Sequence, residues 1–573
     1  MKASDYIARF LEKQGVHHVF EVVGGTIIHL IDSMREGKPR LVSMHHEQAA
    51  AFAADAYGRM TGKPGVAMGT SGPGATNLLT GIGSAYFDSS PALFITGQVN
   101  RHEQRGERAI RQLGFQETDI VPMVTPITKA AWLVNEHARI PELMAESFRI
   151  ATGGRPGPVV LDIPMDVQRE DLQVEEPTQA IAFPDLPRPN PAQIEEVLTA
   201  LSKARRPLIL AGAGVRAAGA IEAFRRFVDT TKIPVVHSLL AVDVLPSSHP
   251  QRVGLIGTYG NRWANTALGE SDFIFVVGSR LDIRQTGADV KFFKADRTIV
   301  HVDCEAGELN NRVPGCIPVL SHLFPFFEAA AELACTIEFG NYAGWLSQIE
   351  SLRQQWPDTA EQVNLNGINP NAFMRALSSV AGDAAAYCVD VGQHQMWAAQ
   401  SLTMRENQRF LTSGGMGSMG FALPAGIGAT FAAGLKPVVV IAGDGGFQFN
   451  IQELQTVRRN SLPLKMVVIN NHCHGMVRQF QESYFDGRYQ STMWGYSEPN
   501  FARIAAAYDI QSASIQDPAQ MHHEVAKMWA DPAEPYLLEV IVDYKANAYP
   551  KIAFGKPLTE MEPLAVPIAM EAT

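Results

Sequence analysis

A glycine-rich segment, GDGGFQFNIQEL, contains residue types that can bind a phosphate group together with a divalent cation. It follows the apolar run PVVVIA and precedes a helical pattern, which predicts a strand-to-helix turn. Backbone N–H groups at such a turn can approach phosphate oxygens, and a carboxylate there can hold a cation that neutralises the phosphate charge. A second apolar run, LKMVVI, leads to Asn470 and Asn471, which could add an oxygen ligand. The residues of the turn are Gly443, Asp444, Gly445 and Gly446.

The turn and the asparagine pair together resemble the diphosphate and magnesium motif of thiamine diphosphate-dependent enzymes. A glycine-rich turn without such a partner is purely structural about as often as it is a binding site. The resemblance implies that Asp444, the Asn471 side chain and the Cys473 backbone carbonyl are the protein ligands of Mg²⁺, an ion that prefers oxygen ligands. It also implies that Gly443, Gly445 and Gly446 contact the cofactor.

Glu47, in SMHHEQAAAFAADAYGR, matches the glutamate that this family places at N1′ of the cofactor's aminopyrimidine. Its acid group favours the 4′-imino form, which removes the C2 proton of the thiazolium ring. The alternative is an ordinary helix-capping or surface glutamate. The flanking segments HEQAAAFAADAYGRMTG and GTSGPGATN resemble the family's first domain and favour the catalytic interpretation.

Other cofactor contacts follow from the same resemblance. In SGGMGSMGFALPAGIGA, Met419 matches the apolar side chain that bends the cofactor, and Gly417 matches a backbone acceptor for the 4′-amino group. In VGQHQMWAAQ, Gln393 and His394 match residues that contact the diphosphate, and Met476 is a further implied cofactor contact. Without the resemblance, such a methionine is usually a core residue and such a histidine a satisfied polar side chain.

Several segments outside the cofactor motifs resemble the catalytic subunits of acetolactate synthase (acetohydroxyacid synthase), among them RQLGFQETDIVPMVTPITK, GRPGPVVLDIP and YPKIAFGKPLTEME. This implies decarboxylation of pyruvate, or a similar 2-keto acid, and carboligation of the acyl anion to a second 2-keto acid. By the same resemblance, Phe115 and Gln116 line the reaction pocket, and Gln116 hydrogen-bonds the intermediate or the acceptor. Arg284, in GSRLDIRQTG, matches an arginine near the acceptor and a bound flavin, where it could pair with a carboxylate.

Three departures from the synthase pattern leave the acceptor open. Met165 stands where these enzymes usually have a lysine, Phe480 stands where they have a tryptophan, and Thr258 and Tyr259 replace a Met-His pair. A pocket with less positive charge binds a second carboxylate less well. The alternatives are acyl transfer to another ketone or aldehyde, such as a keto-sugar, and simple 2-keto acid decarboxylation. A noncatalytic cofactor-binding protein and a flavin-using oxidase are further alternatives, and Glu47 argues against the first of these.

The central part of the chain leaves FAD binding open. LILAGAGVRAAG resembles the first half of a dinucleotide-binding turn, with Gly212 and Gly214, and Asp303 ends a later apolar run. Synthases of this group hold FAD without net redox chemistry, so Gly212, Gly214, Arg284 and Asp303 are its expected contacts. A structural domain without flavin is the alternative.

Short β-rich runs alternate with helical patterns along the whole chain, which predicts an α/β protein with parallel sheets. The resemblance implies three doubly wound domains. They are a pyrimidine-binding domain at residues 1–172, a central domain at 190–338 and a diphosphate- and Mg²⁺-binding domain at 360–545, with a C-terminal arm at 546–573. A proline-rich linker between Pro177 and Pro191 joins the first two domains. In this family each active site combines two subunits, so a homodimer or a homotetramer is expected.

Composition excludes several other classes of protein. The chain has 573 residues, 46% of them hydrophobic, and a net charge of -11, which disfavours nucleic-acid and anionic-membrane binding through a basic face. Its five cysteines include no CxxC pair, and its N-terminus resembles an amphipathic helix rather than a signal peptide. We therefore expect a cytoplasmic enzyme acting on small 2-keto acids.

Overall fold

The computed structural model describes residues 1–35, 39–174 and 186–568. They form three successive α/β domains, each built on a six-stranded sheet in which all paired strands are parallel. This confirms the predicted fold class. Most of the predicted proline-rich linker lies outside the described residues. No helix within the described ranges has both the length and the apolarity that a bilayer crossing requires.

The N-terminal domain has the strand order β2-β1-β3-β4-β6-β5. Strands β3, β4 and β6 are buried along their whole length because helices cover both faces of the sheet. Its helices are α1 (Ala3–Lys13), α2 (Ile28–Ser33), α3 (Glu47–Thr61), α4 (Pro73–Asn77), α5 (Leu79–Phe87), α6 (Ile120–Val124), α7 (Ile140–Thr152) and α8 (Met165–Gln168). Its strands are β1 (His18–Glu21), β2 (Arg40–Ser43), β3 (Gly65–Gly69), β4 (Ala92–Gln98), β5 (Ala130–Leu133) and β6 (Pro158–Pro164).

The central domain has the strand order β12-β11-β10-β7-β8-β9. Its helices are α9 (Pro191–Ser202), α10 (Gly214–Ala217), α11 (Ile221–Thr231), α12 (Arg262–Glu270), α13 (Ile283–Thr286), α14 (Val290–Lys294), α15 (Leu323–Ala334) and α16 (Ala343–Gln355). Its strands are β7 (Pro207–Ala211), β8 (Val235–His237), β9 (Arg252–Leu255), β10 (Phe273–Val277), β11 (Thr298–Asp303) and β12 (Ile317–Leu320).

Helix α16 extends the central domain beyond the boundary at residue 338 that we expected from the sequence. Its buried side chains Trp345 and Ile349 join the apolar cluster formed by α12 and the central sheet. The central domain therefore continues to at least Gln355. The expected boundary differs because α16 carries few apolar residues. Those residues pack against side chains that are far away in the sequence.

The C-terminal domain has the strand order β14-β13-β15-β16-β18-β17. Its helices are α17 (Pro370–Val380), α18 (Gln393–Ser401), α19 (Ala422–Ala432), α20 (Asp444–Phe447), α21 (Leu454–Arg459), α22 (Gly475–Tyr484), α23 (Phe501–Ala507) and α24 (Met521–Met528). Its strands are β13 (Ala386–Val389), β14 (Arg409–Thr412), β15 (Val438–Gly443), β16 (Leu464–Asn470), β17 (Gln511–Ile515) and β18 (Tyr536–Ile541).

The first and third domains pack together through helices α3 and α19. Both helices are rich in small residues, and a Cβ atom at Gly428 would lie only 2.0 Å from the carbonyl oxygen of Ala53. This close approach of two backbones requires glycine at position 428. It brings the helix that begins at Glu47 against the domain that carries the GDGG turn.

The segment after residue 545 returns to the central domain. Strands β19 (Lys551–Ile552) and β20 (Met561–Glu562) pair antiparallel, and Ile552 and Met561 join the apolar cluster of the central domain. The buried guanidinium of Arg262 donates to the carbonyl oxygens of Met561 and Glu562. The C-terminal arm therefore ties the third domain back to the second.

Candidate active site

The residues of the GDGG turn lie at the carboxyl edge of the C-terminal sheet. Strands β13 and β15 are neighbours there, and the chain leaves them toward opposite sides of the sheet. A crevice at such a reversal of strand order is where open α/β sheets bind ligands. Helices α18, α20 and α22 all begin at this edge. Asp444, Asn471 and Gln393 consequently lie close together although they are far apart in sequence.

Three oxygen acceptors converge beside the turn. The side-chain oxygen of Asn471 lies 2.8 Å from the carbonyl oxygen of Cys473 and 3.3 Å from Oδ1 of Asp444, with no donor between them. Oxygens that approach one another in this way repel unless a cation or a proton lies among them. The donor set therefore fits Mg²⁺, which binds carboxylate, amide and carbonyl oxygens. In the described part of the chain there is no cluster of three or more His, Cys, Asp or Glu residues that could hold a metal ion.

Each glycine of the turn makes room for a neighbouring side chain. A Cβ atom at Gly443 would lie 3.0 Å from the ring of His394, one at Gly445 would lie 2.7 Å from the ring of His474, and one at Gly446 would lie 2.6 Å from Oδ1 of Asp390. The Cε atom of Met419 lies 3.5 Å from the same Gly445 position. The structure thus brings the predicted residues His394 and Met419 to the turn.

His394 carries an unpaired polar atom at this site. Its Nε2 is buried and has no hydrogen-bond partner, and burial lowers the pKa of the imidazole to about 3, which keeps it neutral. Buried polar atoms are normally paired, so an orphan next to a glycine turn indicates a missing ligand atom. A bound cofactor beside the turn would supply a polar partner for this nitrogen.

Asp390 fixes the segment that carries Met419, and sequence reasoning missed it. Its carboxylate is buried at the end of β13 and accepts from the backbone N–H groups of Gly420, at 3.0 Å, and Ala422, at 2.9 Å. Burial raises its pKa to about 6. The segment also includes Gly417, whose φ of +70° suits glycine. A charged residue directly after a buried strand was the available sequence signal.

Glu47 begins helix α3 in the N-terminal domain and is 8% exposed. Asn77 donates to its Oε2 at 2.9 Å, and a Cβ atom at Gly74 would lie 3.3 Å from its Oε1. Across the described ranges, Glu47 makes no hydrogen bond to the GDGG turn or to Asn471 of its own chain. The structure therefore holds the predicted acid in a defined position. Within the same ranges, no hydrogen bond joins it to the cradle of the same chain, the name given to the GDGG turn together with Asn471 and Cys473.

Residues of the C-terminal domain form hydrogen bonds with the start of helix α3. The buried carboxylate of Glu453 accepts from the backbone N–H of His45 at 2.9 Å and from the hydroxyl of Thr456 at 2.6 Å. Asn450 donates to the Gln48 side chain at 3.3 Å. These residues directly follow the GDGG turn in sequence, and sequence reasoning did not assign them any role.

Gln116 and Phe115 lie on a loop beside Glu47. Gln116 adopts a left-handed conformation with φ of +65°, and a Cβ atom at Gly72 would lie 3.1 Å from the Gln116 Cβ. The turn at residues 72–74 therefore contacts both Gln116 and Glu47. Phe115 is 86% exposed, so little of its ring is covered by the described part of its own chain.

The Gln116 loop is held by a buried carboxyl group in β6. Gln98 donates both to the carbonyl oxygen of Thr118, at 2.7 Å, and to Oδ2 of Asp162, at 2.9 Å. Thr96 donates to Oδ1 of Asp162 at 2.7 Å. Burial outweighs these bonds and raises the pKa of Asp162 from 3.8 to about 7.

This pKa predicts a pH-dependent stability. The folded protein binds a proton at Asp162 that the unfolded chain releases near pH 4, so the free energy of unfolding should fall as pH rises toward 7 and stay constant above it. The Asp162→Asn variant cannot ionise and should escape this loss, which is up to about 4 kcal/mol for a shift of roughly three units. Thermal unfolding of both proteins between pH 4 and 8 tests this. Parallel Tm profiles would contradict it.

A cleft that opens to solvent lies where the three domains meet, with about 1220 Å³ of space between its walls and mouth. Gly214, Arg284 and Asp303 line it from the central domain, Arg155 lines it from the N-terminal domain and Met396 lines it from the C-terminal domain. Three of the four predicted flavin contacts thus face one elongated space at the carboxyl edge of the central sheet, which is where a dinucleotide would bind.

Gly212, the fourth predicted flavin contact, packs closely against a neighbouring strand end. It is not among the residues that line the cavity, and a Cβ atom there would lie 2.0 Å from the carbonyl oxygen of Gly278. Glycine is required because the ends of β7 and β10 approach closely. The GxG pattern alone cannot distinguish such a backbone contact from a ligand contact.

The predicted substrate residues come from three domains. Met165 is the first residue of α8 in the N-terminal domain, Phe480 lies on α22 in the C-terminal domain, and Arg284 lies on α13 in the central domain. Phe480 stacks obliquely on Tyr484, with ring centroids 4.8 Å apart. The Arg284 carbonyl oxygen accepts from the N–H of Thr258 at 2.6 Å. Met476, the second residue of α22, is partly buried near the cradle.

Three family models match the chain in the order of its domains. They are the thiamine pyrophosphate enzyme N-terminal TPP binding domain at residues 1–123, the central domain at 194–329 and the C-terminal TPP binding domain at 390–540. The acetolactate synthase large subunit of Lactococcus lactis is 37% identical over 563 residues, which cover 97% of this chain and 95% of that protein. The isozyme 2 large subunit of Escherichia coli is 35% identical over 561 residues, or 98% and 99% of the two chains.

The chain belongs to the acetolactate synthase family of thiamine pyrophosphate enzymes. Its first and third domains are thiamine diphosphate-binding domains. Membership of this family explains why the candidate catalytic and cofactor-binding residues lie at the edges of two separate sheets. It also confirms the resemblance that we inferred from the sequence motifs.

Proposed function

We propose that this protein catalyses the acetolactate synthase reaction, in which pyruvate is decarboxylated and its acyl group is joined to a second 2-keto acid. The observation that carries the proposal is a buried acid at position 47 in one TPP binding domain together with an oxygen-lined glycine turn in the other. A protein that only stored the cofactor would gain nothing from such an acid. The near full-length similarity to acetolactate synthase large subunits supports this reaction.

Each residue of the proposed site has a definable task. When bound, thiamine diphosphate supplies a thiazolium ring that serves as the electron sink for decarboxylation. Glu47 holds a proton at N1′ of the aminopyrimidine, and Asn77 keeps its carboxyl group in place. Met419 forms the apolar support beside the turn, and Gln116 offers an amide to the reacting keto acid.

We further propose that Asp444, Asn471 and the Cys473 carbonyl bind Mg²⁺. The cation would neutralise the diphosphate, which would lie beside His394, whose Nε2 has no partner in the described part of the chain. Burial raises the pKa of Asp444 to about 7. The Tyr496 hydroxyl donates to Asp444 Oδ2 at 2.9 Å and holds this ligand in place.

The working unit in this proposal is a homodimer, or a homotetramer built from such dimers. Within the described residues no hydrogen bond joins Glu47 to the GDGG turn of the same chain, and Phe115 beside Glu47 is 86% exposed. Pairing two chains would place Glu47 of one against the cradle of the other and would cover this aromatic ring. Sedimentation of the cofactor-loaded protein should give at least the dimer mass, and an active monomer would contradict the arrangement.

We propose FAD as a second cofactor in the interdomain cavity, where it would not take part in net redox chemistry. Its lining by three domains and the carboxylate of Asp303 at the end of β11 support a dinucleotide. The flavin absorbance of the purified protein tests this. Flavin that is bleached by anaerobic pyruvate at the rate of turnover would favour an oxidase instead.

The test of the proposed reaction is product identification from labelled pyruvate with thiamine diphosphate and Mg²⁺. We expect acetolactate from pyruvate alone. Product that appears only after addition of another ketone, such as a keto-sugar, would identify a different acceptor. Acetaldehyde as the main product would identify a simple decarboxylase. Either of these results would overturn the synthase assignment while leaving the donor chemistry intact.

A further inference from the structure

We propose that Gln479 is a positioning residue for the metal site, acting through Gln393 on the orientation of the Asn471 amide. The inference rests on the proposed Mg²⁺ site. It concerns which end of a single side-chain amide faces the metal. None of the three amides can satisfy its partners independently of the others.

The Asn471 amide has two orientations, and only one of them can bind a metal ion. With its oxygen toward Asp444 and Cys473, it completes a set of cation ligands. Turned over, its NH₂ group would donate to the Cys473 carbonyl at 2.8 Å and to Asp444 Oδ1 at 3.3 Å. In the absence of a cation these two bonds favour the second orientation, which fills the metal position with donors and cannot bind the ion. Something else must therefore favour the first.

A chain of hydrogen bonds selects the orientation that binds metal. The backbone N–H of Ala548 donates to Gln479 Oε1 at 2.8 Å, and Gln479 Nε2 donates to the Ala548 carbonyl at 3.2 Å. A backbone N–H can only donate and a carbonyl can only accept, so this pair fixes the Gln479 amide.

The fixed Gln479 amide then dictates the next two. Its Oε1 accepts from Gln393 Nε2 at 3.1 Å, which turns Gln393 Oε1 toward Asn471. Asn471 Nδ2 donates to that oxygen at 3.0 Å, so the Asn471 oxygen must face Asp444. Turning Asn471 over would set two amide oxygens 3.0 Å apart unless Gln393 also turned, and Gln393 is held by Gln479.

The surroundings keep the three amides out of water. Gln393 and Gln479 are 3% and 1% exposed, so water cannot readily replace a lost partner. Gly475, the first residue of α22, makes room for them, since a Cβ atom there would lie 2.0 Å from Gln393 Oε1 and 2.4 Å from Asn471 Nδ2. Glycine at this position is thus required by the amide chain itself.

The series of hydrogen-bonded amides is anchored at Ala548, in the segment at residues 546–549 where the C-terminal arm begins. Buried side chains of the two helices at the cradle hold it. Trp397 donates to the Asn547 carbonyl at 3.2 Å, Gln400 donates to the Tyr549 carbonyl at 3.2 Å, and Arg478 donates to the Asn547 side chain. Docking of this segment is therefore coupled to the orientation of a metal ligand.

The test is Mn²⁺ binding, followed by electron paramagnetic resonance, to the full-length protein with thiamine diphosphate. Gln479→Met removes the amide at similar volume and should weaken Mn²⁺ binding roughly 10- to 100-fold, as is typical when a group that orients a ligand is lost. Activity at saturating Mg²⁺ should stay within about threefold, because excess metal reselects the correct orientation. Activity that excess metal does not restore would indicate general damage and would overturn the proposal.

The matched control is Gln362→Met. Gln362 bonds to the backbone of Asn547 in the same segment but is not part of the amide chain. Its replacement should change Mn²⁺ affinity less than about threefold. An equal loss in both variants would mean that docking of the arm, not amide orientation, matters. If Gln479→Met does not fold, Gly475→Ala, which displaces the Gln393–Asn471 bond, provides the same test.

Asp444→Ala distinguishes failure of this proposal from failure of the metal assignment. If it leaves Mn²⁺ affinity unchanged, the metal site itself is misassigned. If it abolishes Mn²⁺ binding while Gln479→Met has no effect, the metal site stands and the positioning role of Gln479 is refuted.

Discussion

Replacement of Glu47 by glutamine is expected to lower kcat about 10²- to 10⁴-fold, the usual contribution of a positioned acid or base. The change keeps the size of the side chain, and the new amide oxygen can still accept from Asn77. An amide cannot hold a proton at N1′ as a carboxylic acid does. Proton removal from C2 of the thiazolium should therefore slow in parallel with kcat.

The measurement that separates chemistry from binding is hydrogen–deuterium exchange at C2 of bound thiamine diphosphate. We expect exchange to slow by the same factor as turnover, with cofactor affinity changed less than tenfold. Glu21→Gln is the matched control, because Glu21 is also buried in this domain and bonds to Ser43. Its kcat should stay within about threefold. Unchanged exchange in the Glu47 variant would remove the basis of the proposed mechanism.

The fold could be predicted from local sequence because its elements carry local signals. The buried strands β15 and β16 appear as continuous apolar runs, VVVIAG and LKMVVIN, each followed by a polar or glycine residue. Such runs are typical of parallel strands that are covered on both faces. The edge of the sheet where they end follows from topology, whereas the pairing of Asp444 with Asn471 came from the resemblance to the thiamine diphosphate motif.

What could not be predicted depends on contacts between distant segments. Nothing near Gln479 in sequence indicates that Ala548 fixes its amide, and nothing near His45 indicates that Glu453 holds it. The close approach of Gly212 to Gly278 was likewise hidden, because Gly278 follows a strand that is distant in sequence. Spacing identifies which residues can do chemistry, whereas their orientation is set by the tertiary structure.

Replacement of Asp444 by alanine is expected to abolish metal-dependent cofactor binding at ordinary concentrations. Asp444 is the only charged member of the proposed ligand set, so its loss leaves the cation with neutral oxygens opposite a diphosphate. Removing one partner of a buried charge pair costs about 3–5 kcal/mol, or roughly 10²- to 10⁴-fold in affinity. Calorimetric titration with thiamine diphosphate at fixed Mg²⁺ measures the loss.

Tyr496→Phe is the control that separates the effect of the Asp444 charge from the effect of the hydrogen bond that holds Asp444 in place. It removes the hydroxyl that donates to Asp444 Oδ2 but keeps the carboxylate and the ring that packs on His474. Loss of one such bond is worth about 1 kcal/mol, so affinity should fall only roughly fivefold. If both variants lost affinity equally, the carboxylate would be acting through the tyrosine and not on a cation. A large loss confined to Asp444→Ala is the result that requires a metal at this turn.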